Sequence, residues 1–73
     1  MIKTYFVKSE KVGQALGWLE EHLGEENCRW WKHQAGNGYW DTTTLKFSFD
    51  IEVYTDVTEQ EEIELMTFIL KFV

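Results

Sequence analysis

The sequence predicts an α+β fold of element order β-α-β-β-α, and three observations lead to it. Val12, Leu16, Leu19 and Leu23 recur at the spacing of one helical stripe. Leu45, Phe47, Phe49, Ile51 and Val53 alternate with Lys46, Ser48, Asp50, Glu52 and Tyr54, the pattern of a strand with one face buried and one wet. Thr58 and Glu61 have capping-box spacing, and an apolar-rich segment without a breaker follows them.

The elements follow in order. Residues 2–8 are rich in β-branched and aromatic side chains and read as a strand. Ile2, Thr4 and Phe6 share one of its faces, and Lys3, Tyr5 and Val7 the other. Ser9 is placed to cap a helix over 10–23 with its hydroxyl, and Gly24 suits the left-handed residue that ends it. Gly13 and Gly17 interrupt that helix, each at a cost of about 1 kcal/mol relative to alanine. Trp18 and His22 lie on the flank opposite the two glycines.

Residues 27–35 and 39–54 read as a long hairpin about Asn37-Gly38, since a type I′ turn needs positive φ at both central positions. That register pairs Trp30 with Leu45 and Cys28 with Phe47 on the core side. It sets Trp31, His33, Ala35 and Trp40 on the outer side, and opposes Arg29 to Lys46, a like-charge pair. The last helix is expected over 59–72. Ile63, Met66, Leu70 and Val73 form one stripe, and Leu65, Phe68, Ile69 and Phe72 fill much of the other side. A competing reading ends this helix near Thr67 and makes 68–73 a strand. The third strand, longest and most apolar, belongs in the centre of a mostly antiparallel sheet of order 1-3-2. A right-handed crossover joins the first two strands, and both helices cover one face.

Seventy-three residues make one domain, 1–73, with no room for separate cofactor and substrate domains. No apolar run reaches the roughly 18 residues of a membrane span. The opening residues, Met1 to Thr4, do not read as a signal peptide, and one cysteine cannot form an internal disulfide. A cytoplasmic protein is the expectation. Aromatics are 16% of the chain, which argues against disorder and suits a core too small for many aliphatics. The net charge of −6 lies wholly in residues 37–73, which carry two bases and eight acids. A field of that sign repels nucleic acid and favours basic partners.

The residues for catalysis are few. Cys28 with His22 or His33 would make a nucleophile–base pair or part of a metal site. However, Cys28 falls on the expected core face, and no fourth soft ligand accompanies the three. Gly36-Asn37-Gly38 does not precede a helix and is a turn, not a phosphate loop. No enzyme, cofactor or metal is expected.

Binding has three candidate surfaces. Tyr5, Arg29, Trp31, His33 and Trp40, with Tyr54 beside them, make an aromatic sheet face, and such residues dominate interface energetics. The same face could hold a nucleotide or small anion on Arg29, Lys32 and His33. Leu65, Phe68, Ile69 and Phe72 make an apolar helix face suited to a homodimer. Asp50, Glu52, Asp56, Glu59, Glu61, Glu62 and Glu64 make an acidic face. Carboxylates on a rigid surface imitate a duplex's phosphates and can occupy a basic channel, such as that of a nucleic-acid-binding enzyme.

In length, acidity and aromatic content the chain resembles the small inhibitors that bacteriophages encode against host enzymes or defence systems. The resemblance is compositional. It implies a non-enzymatic protein that docks on a host protein in the host cytoplasm and occludes a basic site. The readings weighed against it are a ligand-sequestering protein and a homo-oligomeric structural component.

Overall fold

The computed structural model describes residues 2–73. The order is β1 (Ile2–Val7), a 3-10 turn (Ser9–Lys11), α1 (Val12–Leu23), β2 (Trp30–Asp41), β3 (Lys46–Asp56) and α2 (Glu59–Phe72). The strands form one antiparallel sheet of order β1-β3-β2. This is the predicted α+β fold, with the more apolar strand of the hairpin in the centre, although β3, at 11 residues, is not the longest strand, contrary to expectation: β2 has 12.

One face of the sheet carries both helices. Val7, Trp30, Ile51 and Val53 project from it into a single core with Ala15, Trp18, Leu19 and Leu23 of α1 and Leu65, Phe68 and Phe72 of α2. Trp30 ties the layers together: its indole N–H donates to the Gly24 carbonyl at 2.8 Å, joining the start of β2 to the end of α1. Trp18 packs on Phe68 and is lidded by the stacked ring of His22, centroids 4.0 Å apart. His22 Nδ1 lies 2.9 Å from the Trp18 carbonyl.

The helix ends follow two routes. α2 begins with the predicted capping box: Thr58 N–H donates to the Glu61 carboxylate and the Thr58 hydroxyl accepts from the Glu61 N–H. Gly24 closes α1 with the expected positive φ, 87°, but its ψ of −162° is extended and not that of the left-handed helical cap. The start of α1 differs. The Ser9 hydroxyl does not cap it; instead Asp50 of β3 accepts the Ser9 backbone N–H at 2.9 Å. The long-range carboxylate takes the place of the local hydroxyl, and one acid of the expected acidic face is thereby used inside the fold.

The hairpin turns elsewhere than expected. The chain reverses at residues 42–45, where the Asp41 carboxylate accepts the Thr43 N–H at 2.8 Å and Leu45 takes φ 55°. Trp30 therefore faces Thr55, not Leu45, and Trp31 faces Tyr54. The reason is geometric. A turn at Asn37-Gly38 would set Ile51 and Val53 opposite residues of α1 and its cap, so the most apolar part of β3 would have no partner strand. The Gly-Asn-Gly segment becomes a bulge between Ala35 and Tyr39 instead. Gly36 supplies φ 69°, and Gly38 leaves space filled by the Phe47 ring. The slip spans an even number of residues, so Trp30 stays on the core face and Trp31 on the outer one. Cys28 moves out of the strand. It lies exposed in the turn before β2, not in the core.

α2 is helical through Phe72, so 68–73 is not a strand. Its faces are exchanged relative to expectation. Leu65 and Phe68 are fully buried and Phe72 nearly so, whereas Ile63, Met66, Leu70 and Val73 are exposed. The buried stripe carries the two phenylalanines, which pack at a tilt against each other, and Phe68 also meets Trp18 and, edge-on, Tyr5. Aromatics bury more area per position than Ile or Leu, so that stripe wins the core.

Candidate functional site

The face of the sheet opposite the helices is uncovered, and its side chains come from alternate positions of all three strands. Thr4, Tyr54 and Trp31 form one row across the strands, and Phe6, Glu52 and His33 the next. Trp31 and Tyr54 stack at 5.7 Å with planes 14° apart, and His33 meets Tyr54 edge-on at 5.5 Å. The Tyr54 hydroxyl donates to the Glu52 carboxylate. That bond to the carboxylate raises the Tyr54 phenol above its ordinary pKa, with burial adding to the effect. Asp50 and Asp56 stand on the same face at either end of the row of β3. The result is an aromatic platform edged with carboxylates.

The sequence placed some of these residues correctly and others not. Trp31 and His33 share the outer face. Tyr5 does not: it lies on the helix side, edge-on to Phe68 at 5.9 Å. Burial pushes its phenol up, an effect that Lys3 partly offsets. Phe6 takes its place on the open face and was missed. Both alternations in β1 are apolar, and only the pairing of Val7 with Ile51 decides which goes inside. Trp40 is also separate from Trp31. It pairs with Phe47 beyond the bulge, on the side of Phe47 and Phe49, and is 57% exposed. With Tyr39, Leu45 and Phe47 it makes an apolar end to the hairpin, which helps to extend the molecule to 42 Å along its longest axis.

Arg29 leaves the sheet face to pair with Glu61 of α2, and Lys32 pairs with Glu26 at 3.3 Å. Two of the three groups expected to hold an anion are thus engaged with carboxylates. Arg29 is not opposite Lys46; Asp41 is.

The seven acids are divided, not gathered on one face. Asp50, Glu52 and Asp56 edge the open sheet face. Glu59, Glu61, Glu62 and Glu64 lie on α2, on the helix side. Several have internal partners: Asp50 with Ser9 and Lys8, Glu61 with Thr58 and Arg29, and Glu62 with Lys3 at 3.4 Å. The dimer face expected at Leu65, Phe68, Ile69 and Phe72 is the chain's own core, with Ile69 half-buried at its margin. The exposed stripe of α2 borders a groove of about 370 Å³ between β1 and α2, lined by Lys3, Tyr5, Glu59, Glu62, Ile63, Met66 and Ile69.

Among the described residues, no three His, Cys, Asp or Glu are grouped so as to hold a metal ion. No described helix is long and apolar enough to cross a membrane. Fold and site together define a small α+β domain that presents one uncovered aromatic and acidic sheet face. No protein family, curated protein or solved structure matches the chain.

Proposed function

We propose that the chain is a non-enzymatic protein-binding module of the inhibitor type, which docks its open sheet face on a basic surface of a partner protein. One observation carries the reading: stacked Trp31 and Tyr54 lie beside Glu52 on a face that no element covers. Arginine and lysine are the side chains such a face recognises. A guanidinium over an aromatic ring gains about 0.5–1 kcal/mol when exposed and about 2 kcal/mol or more when desolvated. A carboxylate next to the ring adds a charge-assisted hydrogen bond. The net charge of −6 steers the encounter with a basic surface.

The chain in this reading occludes a site whose own ligand is anionic, as a phage-encoded antagonist of a nucleic-acid-binding host protein would, in the host cytoplasm. Two copies acting together fit the same role. Capture of a nucleotide is the weaker reading, because Arg29 and Lys32 already have carboxylate partners.

The test is capture of partners by the immobilised chain from the source cell, with Trp31→Ala and Glu52→Lys run in parallel. Support is a basic protein retained by the parent chain, released by salt and lost from both variants. A capture pattern unchanged by either variant overturns the reading. So does a tryptophan fluorescence response to nucleotides with none to an arginine-containing peptide.

A further inference from the structure

β1 is an edge strand, and large apolar side chains flank it on both sides of the sheet. Ile2 and Phe6 stand on the open face, 59% and 60% exposed. Ile63 and Met66 of α2 line the groove above β1, 70% and 60% exposed, and Leu70, 85% exposed, continues their stripe one turn on. We propose that a second copy of this chain occupies that edge, β1 pairing antiparallel with β1 of the partner copy about a two-fold axis at Thr4, which joins two sheets into one of six strands.

The spacing is self-complementary. An axis through Thr4 sets Ile2 opposite Phe6 of the other copy, and Phe6 opposite its Ile2. Both exposed apolar residues of β1 then gain an apolar cross-strand neighbour, and Thr4 meets Thr4. On the other face, the same axis brings the two α2 helices together along Ile63, Met66 and Leu70. One occupant thus covers two apolar surfaces that lie on opposite sides of the sheet. The axis also sets Lys3 opposite Tyr5 of the other copy, where Glu62 already balances the ammonium at 3.4 Å and Glu59 lines the same groove.

The areas agree with this. Those five residues, 59% to 85% exposed, supply apolar surface of the order that a standard stable interface of about 800 Å² per partner needs. The chain exposes 5121 Å², more than the about 4700 Å² expected of a compact monomer of its size. A dimer of this kind also joins the two aromatic platforms into one surface. Five strand spacings separate the two Trp31 positions, about 24 Å.

This inference does not rest on the docking of a basic partner, since its measurement is the mass of the chain alone. Light scattering after size exclusion at about 100 μM should give twice the chain mass. Phe6→Glu and Leu70→Glu should each give a monomer with unchanged circular dichroism. In a Cys28→Ser background, Thr4→Cys should form a disulfide dimer under mild oxidation, because opposed antiparallel positions lie within disulfide reach. Thr42→Cys, in the distal turn, should not. A parent chain that is monomeric overturns the proposal. So does a dimer that survives both glutamate variants or fails to cross-link at Thr4. Binding of an extended peptide to a monomeric chain at the β1 edge would assign the groove to a different occupant, and would overturn it too.

Discussion

Trp31 and Tyr54 face each other across neighbouring strands with rings nearly parallel, on the side of the sheet that neither helix covers. The pairing does two things. It supports the edge strand, as cross-strand aromatic pairs do, and it presents a flat π surface beside the Glu52 carboxylate. Trp31→Ala should cost the fold only about 0.5–1.5 kcal/mol beyond lost area, yet remove most of the affinity for a basic partner. Urea unfolding and partner titration on the same variant separate the two effects. A variant that binds as well as the parent assigns the stack to strand support alone.

The bulge makes a prediction that distinguishes it from a tight turn. Asn37→Ala should be nearly neutral, because Asn37 is an exposed bulge residue whose φ is not positive. Gly38→Val should be destabilising, because a Cβ there would collide with the Phe47 ring. Pairing it with Phe47→Ala should recover part of the loss, a coupling of the 0.5–3 kcal/mol range typical of touching side chains. If Asn37→Ala unfolds the hairpin, the turn is at Asn37-Gly38 after all.

The orientation of α2 can be read from two substitutions. Phe68→Ala removes a fully buried ring and should cost about 3–5 kcal/mol, most of what a domain this small has. Ile63→Ala, measured at dilution where copies are separate, should stay within about 0.5 kcal/mol. Thermal unfolding of both variants checks the exchange of faces, and equal losses would contradict it.

The hydroxyl of Tyr54 gives a pH signature. Its folded pKa is raised because the neutral phenol donates to Glu52. The stability this contributes is fully present below the ordinary tyrosine value and is lost as pH rises through the folded value. Tyrosinate absorbance should show a step above the ordinary range, and Glu52→Ala should bring that step down. No change on removing the carboxylate would rule out the bond as the cause.

Much of the fold is legible in the sequence because local and global signals agree. The stripe from Val12 to Leu23, the alternation through Val53 and the pair Thr58 and Glu61 each specify an element without help from elsewhere. Strand order follows from the apolar character of β3. The misread features are those that local signals leave degenerate. Asn37-Gly38 is equally at home in a turn or a bulge, and only the need of Ile51 and Val53 for a partner strand decides between them. In α2 both stripes are apolar, and the choice falls to the packing of Phe68 against Trp18 and Tyr5. In β1 both faces are apolar, so Tyr5 and Phe6 exchange places once Val7 pairs with Ile51. The acidic face dissolves because Asp50, Glu61 and Glu62 find partners distant in sequence, which periodicity does not reveal.

The interruption at 36–38 has a consequence for how large an assembly can grow. A sheet with two free margins can in principle add copies head to tail, β1 of one on β2 of the next, and such a contact never closes on itself. The displaced backbone between Ala35 and Tyr39 confines the regular run of β2 to Trp30–Ala35. A copy added at that margin would find only those six residues in register, and past them the bulge turns the edge away, one of the devices by which sheets blunt open-ended growth.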